Sequence, residues 1–352
     1  MQVNLLLGFD TFASACRNFV HDHDFSQTTK ECWKTLIFIA VLFSSDVYAA
    51  CVITGPSTTS FGNVSSLDVA AVVKNTSAPD AGLECGPPTI LGLLGADIAE
   101  ATVLSTNNAG LVNASGDRIP YQIFADSPLT QAITPGVAYD YYNSYILSLL
   151  GIITVGSTNK KMPMYFRTVP TGLNVSAGLY TDTLTINWNW SVCIVRVLSA
   201  CVGKSEGTNS VTMTLNLTIT NDCLITAPAV NFGSSPLVSG FPALTQTITI
   251  RCTRNSAFNV GLDNGSNFLT TQRRMKSGSN FLNYELYKGS AVGSRWGMNG
   301  LERRSSGDAE INPGIYDGVT GLGFRYHAVI PAQQTTPPAG AYTDTIILDV
   351  QF

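Results

Sequence analysis

Cysteine, histidine and aspartate are the residues of this chain whose types and spacing invite a chemical reading, and each points to architecture rather than catalysis. Of the 8 cysteines, none stands in a Cys-x-x-Cys pair, so the spacing does not suit a zinc site. Two of the three histidines, His21 and His23, precede a candidate cleavage site and leave His327 alone inside an expected strand. Neither a Gly-x-Ser-x-Gly elbow nor a His-Glu-x-x-His pair is present. Asp182 and Asp344 occupy the same place in two copies of one motif, which makes them structural partners of a repeat rather than an acid and a base. The chain therefore reads as no enzyme, with no cofactor and no metal.

The elements that hold these residues occur twice. Cys51-Val52-Ile53-Thr54-Gly55-Pro56 followed by Phe61-Gly62 returns as Cys223-Leu224-Ile225-Thr226-Ala227-Pro228 followed by Phe232-Gly233. Gly178-Leu179-Tyr180-Thr181-Asp182-Thr183-Leu184 returns as Gly340-Ala341-Tyr342-Thr343-Asp344-Thr345-Ile346, and Ile119-Pro120-Tyr121-Gln122-Ile123-Phe124 aligns with Leu282-Asn283-Tyr284-Glu285-Leu286-Tyr287. Two repeats of roughly 150 residues suit two domains with full cores. The repeat also pairs the cysteines, Cys51 with Cys85 and Cys223 with Cys252, which leaves Cys193 to Cys201.

Residues 34–49 read as a secretion signal: Lys34, the apolar run Leu36 to Phe43, and Val47-Tyr48-Ala49 as the small-residue cleavage site. The acids Asp10, Asp22, Asp24 and Glu31 before it suit no targeting segment, so residues 1–49 are set aside as a leader. Six cysteines behind such a signal imply an oxidising compartment. Three of the 20 basic and five of the 24 acidic residues fall in the leader, so the remainder carries a net charge of −2. That balance offers nothing to nucleic acid or anionic lipid.

With charged residues at 12% and turn residues plentiful, the pattern is all-β. Strands are expected near 51–55, 67–74, 81–85, 88–94, 101–105, 119–125, 162–169, 180–190 and 211–220. A second set is expected near 223–226, 245–252, 257–262, 282–287, 323–330 and 342–351. Strands at this spacing suggest two immunoglobulin-like sandwiches in tandem, residues 50–221 and 222–352, with Asn221-Asp222 as a short joint that restricts their mutual orientation.

The clearest alternation follows the first closing motif: Val211, Met213, Leu215, Leu217 and Ile219 face one way and five polar residues the other. Five such side chains at ~1.5 to 3 kcal/mol each come to roughly 7 to 15 kcal/mol before entropy, comparable to the whole net stability of a domain. The second copy ends without this strand. It is expected to keep an open apolar groove with unpaired edge amides until a strand from another chain fills it.

The two Cys strands, Trp296-Gly297, Arg273-Arg274-Met275 and the run from Ile330-Pro331-Ala332 to Gly340-Ala341-Tyr342-Thr343-Asp344-Thr345 resemble the spore coat protein U domain. That family supplies the pilins of archaic chaperone-usher pili, and a two-domain chain of this size is similar to the tip adhesin of Csu-type pili. The resemblance implies a periplasmic pilus chaperone that fills the groove first, an outer-membrane usher, and an adjacent pilin subunit that then donates its strand. It implies secretion through the periplasm to the cell surface. Because Cys51 follows the expected cleavage site directly, this subunit is expected to receive a strand but lend none, a position at the pilus tip. Val211 to Ile219 stands where a donor strand would and is used in cis.

Three apolar stretches of the first copy lack apolar counterparts in the second: Leu93, Leu94, Ala96, Ile98 and Ala99; Leu147, Leu149, Leu150, Ile152 and Ile153; and Val195, Val197 and Leu198, between Cys193 and Cys201. Loops after alternate strands of a sandwich cluster at one end, so these are expected to form adjacent fingertips that attach to hydrophobic abiotic or host surfaces, as in biofilm formation. Two rivals are a carbohydrate-binding tip with Tyr139, Tyr141, Tyr142 and Tyr145 as its aromatic platform, and a structural coat or matrix protein without a binding role.

Overall fold

Alternating runs bounded by turn residues do form strands here, and the chain is all-β as its pattern requires. The computed structural model describes residues 51–56, 58–86, 97–142, 160–197 and 200–352, with the backbone alone at 160, 193–197, 200, 202 and 203. The leader with its secretion signal, and the strand expected over 88–94, lie outside those residues.

The N-terminal sandwich runs through β1 (Cys51–Ile53), β2 (Thr59–Ser65), β3 (Asn75–Ala78), β4 (Leu83–Cys85), β5 (Ile98–Ser105), β6 (Gly110–Val112) and β7 (Arg118–Phe124). It continues with β8 (Ala132–Ile133), β9 (Ala138–Asp140), β10 (Lys160–Lys161), β11 (Met164–Thr168), β12 (Gly178–Val197) and β13 (Ala200–Thr220). One sheet is ordered β2-β13-β12-β6-β7-β11-β3, with β5 on β12, β9 on β5 and β8 on β7; the other is β1-β4-β10.

Residues 67–74, expected as a strand, instead begin as helix α1 (Ser66–Ala71). Ser65 caps it by accepting the Asp68 N–H at 3.1 Å, and Asp68 lies in the first turn, where an acid opposes the helix dipole. Ser66 and Val69 are buried one turn apart, so the apolar run from Val69 to Val73 serves a helical face first.

β13 binds β12 antiparallel on one side and β2 parallel on the other. Met213, Leu215, Leu217 and Ile219 are at most 2% exposed and Val211 is half-buried, while Thr212, Thr214 and Thr220 face solvent. The alternation read from the sequence is thus the inner and outer face of one strand.

The C-terminal sandwich comprises β14 (Cys223–Thr226), β15 (Leu244–Cys252), β16 (Asn259–Leu262), β17 (Arg273–Ser277), β18 (Asn280–Lys288), β19 (Arg304–Ser305), β20 (Leu322–Val329) and β21 (Leu348–Gln351). Its sheets are β14-β15-β20-β18-β17 and β19-β16-β21. β17 was not expected, because its inward residue is an arginine. Arg273 is wholly buried, donates to the carbonyls of Leu262 at 3.0 Å and Trp296 at 2.8 Å, and pairs with Glu285, which Arg295 also holds. Buried charge needs this degree of saturation. Trp296, also wholly buried, donates its indole N–H to the Val260 carbonyl at 3.1 Å.

The joint at Asn221-Asp222 is reinforced from both sides. Ser66 and Thr253 share a buried hydroxyl hydrogen bond of 2.9 Å, Asn174 Nδ2 donates to the Cys252 carbonyl at 2.6 Å, and Arg254 Nη1 meets Asp117 Oδ1 at 2.8 Å. The described residues from 51 to 352 gather into one compact unit.

Candidate functional site

The closing motif is built alike in both sandwiches but finished in one. β12 pairs with β13 through Tyr180↔Leu217, Asp182↔Leu215 and Leu184↔Met213. Tyr180, Asp182, Leu184 and Ile186 are accordingly no more than 1% exposed. Their equivalents Tyr342, Asp344, Ile346 and Leu348 all remain partly exposed, and Ile347 is 61% exposed. A strand was expected over 342–351. The ladder instead begins at Leu348, preceded only by one bridge between Thr343 and Lys276, because residues 344–347 have no strand beside them among the described residues.

The space left is an open groove of about 490 Å³ between residues 227–230 and 342–348, with Phe232, Ile248, Leu286, Tyr326 and Ile346 among its walls. It occupies the place that β13 fills in the N-terminal sandwich. An apolar trough with free backbone along its edge is chemically suited to an extended strand bearing alternate apolar side chains. Asp344 in its wall is a fixed acceptor rather than a base, held by the Tyr284 hydroxyl at 2.7 Å and the Ser266 N–H at 3.0 Å.

A second feature lies at the end of the N-terminal sandwich away from the joint. β12 and β13 run on past Ser191, the last residue opposite β5, as a two-stranded ribbon to Val197 and Ala200. Beside it, Cys51 N donates to Ser205 Oγ at 3.3 Å, Cys51 is bonded to Cys85, and Cys85 lies opposite Lys160. Tyr141 N donates to the Ala99 carbonyl at 2.9 Å, so β9 leaves this same end. Thus Cys85, Ile98, Tyr142, Lys160, Val197 and Ala200, which lie within or beside the three apolar stretches, converge on one pole.

The pole is braced by groups that no sequence signal marked. Asp80 accepts from Thr54 Oγ1 and Gly82 N at 2.8 Å each and pairs with Lys161 at 2.8 Å. Burial pushes its carboxyl up, but the hydrogen bonds and the Lys161 charge outweigh this and hold it below the usual carboxylate range. Gly82 has φ +100, and a side chain there would collide with Val211 of β13.

Of the residues expected at the fingertips, Leu93, Leu94, Ala96, Leu147, Leu149, Leu150, Ile152, Ile153 and Leu198 lie outside the described residues. Val195 and Val197 are ribbon positions opposite Val202 and Ala200. Ile98 is half-buried on β5, and Ala99 is wholly buried beneath it, so Ala99 is core rather than fingertip. Cys223 is bonded to Cys252, and Cys201 is disulfide-bonded, with the side chain of Cys193 outside those described. Of the tyrosine platform, Tyr141 is 2% exposed, donates to the Pro163 carbonyl at 2.8 Å and packs on Trp188 and Tyr139. Tyr145 lies outside the described residues, and Tyr139 and Tyr142 are half-buried. His327 sits on β20, hydrogen-bonded to Thr245.

The Spore Coat Protein U domain profile matches twice, at residues 37–187 and 209–349. No curated protein matches the chain. Among solved structures, a chain from the CsuC-CsuE chaperone-tip adhesion subunit pre-assembly complex of the archaic chaperone-usher Csu pili of Acinetobacter baumannii aligns at 27% identity and TM-score 0.57, covering 86% of this chain and 100% of that one. The CooA pilin subunit from enterotoxigenic Escherichia coli aligns at 11% identity and TM-score 0.27, over 49% of this chain and 99% of that one.

Proposed function

The chain belongs to the Spore Coat Protein U domain family, and on that premise we propose that it is the tip subunit of a chaperone-usher pilus, attaching to surfaces through apolar loops at the pole of its N-terminal sandwich. The observation that carries this reading is the contrast between the halves: one has its closing strand built in, and the other presents an unfilled groove at the equivalent place. A subunit with one such groove takes up a strand from an adjacent pilin after a periplasmic chaperone has held the site and the outer-membrane usher has brought the two together. β13 stands where a strand for lending would stand and is used in cis, which supports an end position on the fibre. The convergence at one pole of the residues flanking the three apolar stretches supports a single attachment face for hydrophobic surfaces, of the kind biofilm formation uses. The packing of Tyr141 into the core removes one member of a carbohydrate platform.

Periplasmic expression with and without the pilus chaperone encoded alongside tests the reading. With it, a soluble one-to-one complex is expected; without it, the C-terminal sandwich is expected to aggregate or be degraded. A full yield of soluble monomer in the absence of any chaperone would overturn the proposal.

A further inference from the structure

The strand that completes the N-terminal sandwich is also the strand that leaves it for the C-terminal one. β13 starts at Ala200 on the distal pole, ends at Thr220 and, after Asn221-Asp222, enters Cys223 of β14. At ~3.3 Å per residue it spans up to roughly 70 Å of extended backbone, with a shift of register against β2 between Asn216 and Thr218. We propose that β13 is a load-bearing tether for load that enters at its own start, beside the apolar stretch at Val195, Val197 and Leu198: it carries that tension to the C-terminal sandwich along its own covalent chain while the N-terminal core stays unloaded. The direction of the load rests on the proposed attachment at the pole; the mechanical claim does not.

An extended strand has little length to give. A residue reaches at most ~3.6 Å, so the strand has roughly 6 Å of slack in all. Tension applied between its ends stays in the backbone, and the ladders to β12 and β2, which lie across the pull, need not slide. Load entering at Ile98 has no such route. It crosses to β12 through the hydrogen bonds from Ser191↔Ile98 to Leu184↔Ser105, and then to β13 through a second ladder.

The receiving end is built to take the load. Asp222 N donates to Thr253 Oγ1 at 2.8 Å, and Thr253 N donates to the Asp222 carbonyl at 2.9 Å. The Cys223–Cys252 bond then joins β14 to β15. β14 runs on into Ala227 and Val230 in one wall of the groove, and β15 carries Ile248 into another. Tension therefore arrives on the surfaces that would grip an incoming strand.

Single-molecule pulling on the full chain tests this. The chain is held at Phe352 and pulled in turn through an azide-bearing residue incorporated at position 200 or at position 98. Lys204, half-exposed on the same strand, serves as a second attachment point should position 200 disturb folding. From position 200 or 204, only unfolding of the C-terminal sandwich is expected. From position 98, the same events are expected plus an additional lengthening of about 40 nm, the released chain from 98 to 222 at ~3.5 Å per residue. Absence of that long step from position 98 up to the force that unfolds the C-terminal sandwich, which would show the ladders holding as well as the strand, overturns the tether. Failure of the pole to bind surfaces leaves this result unchanged, so the two proposals fail separately.

Discussion

Tyr284 donates its hydroxyl to Asp344 Oδ2 at 2.7 Å, and at the equivalent place Tyr121 donates to Asp182 Oδ2 at 2.6 Å. The bonds match, but their surroundings differ. Asp182 is 1% exposed under β13, with Ser105 and the Asn107 N–H as further donors, whereas Asp344 forms part of an open groove wall. Burial and the neighbouring carboxylate push both tyrosine hydroxyls well above their usual range, so both remain protonated donors at any physiological pH.

Tyr121→Phe is therefore expected to cost about 1 to 3 kcal/mol, the penalty for withdrawing a partner from a buried acceptor. Tyr284→Phe is expected to cost less in a chain whose groove is empty, where water replaces the lost donor. The cost should grow once a strand covers Asp344. Thermal unfolding of the two variants, and of the second with and without bound chaperone, reads this difference; equal losses in all three would show that the groove wall is not wet.

Truncating the cis strand has a larger effect. Leu215 and Leu217 are wholly buried between β12 and β2. Leu215→Ala or Leu217→Ala is expected to destabilise the N-terminal sandwich by about 2 to 5 kcal/mol, and the pair to leave it unfolded at 37 °C. Thr214→Ala on the exposed face is the control, expected within about 0.5 kcal/mol of the parent by denaturant titration.

The legibility of these features differs for physical reasons. β13 was readable because its two faces meet different environments, so burial imprints a period of two on residues 211–220. Asp182 and Asp344 were readable because the repeat shows one residue doing one job twice. α1 was misread because Val69, Ala70, Ala71, Val72 and Val73 form a run without a strong period, and the deciding signal was the cap at Ser65. β17 left no mark because Arg273 reverses the expected polarity of an inward position. Residues 342–347 have the composition of a strand and lack its ladder, since a strand also depends on a neighbour that the sequence of one chain need not contain. The brace at Asp80 and the contacts of Asp117 join segments far apart in sequence, which no local pattern reports.

The joint carries a pH dependence. Asp117 accepts the Ser176 N–H at 2.9 Å and the charge of Arg254 at 2.8 Å, and also faces the Tyr180 hydroxyl. Burial raises its carboxyl, but the Ser176 bonds and Arg254 outweigh this and hold it below its ordinary value. A carboxyl depressed in the folded state contributes stability that is present above its unfolded pKa of about 4 and lost as pH falls through the folded value. Hydrogen exchange at residues 174–176 and 254 is thus expected to stay protected down to about pH 4 and to rise below it. Asp117→Asn should remove the transition by raising exchange already at pH 7.

The proposed attachment through the apolar stretches would have a signature that electrostatic or sugar binding lacks. Replacing Leu149, Leu150 and Ile153 together by asparagine removes three side chains worth ~1.5 to 3 kcal/mol each when fully buried, or roughly 4.5 to 9 kcal/mol per tip. Retention of piliated cells on polystyrene should fall at least tenfold, while pilus number per cell, which the proposed assembly through the groove would set, stays the same. Raising salt to 1 M shortens the screening length to about 3 Å and so weakens charge pairing, but it does not weaken apolar burial, so the parent should hold as firmly in 1 M sodium chloride as in dilute buffer. Equal retention by the variant, or release of the parent by salt, would move the attachment chemistry away from these loops.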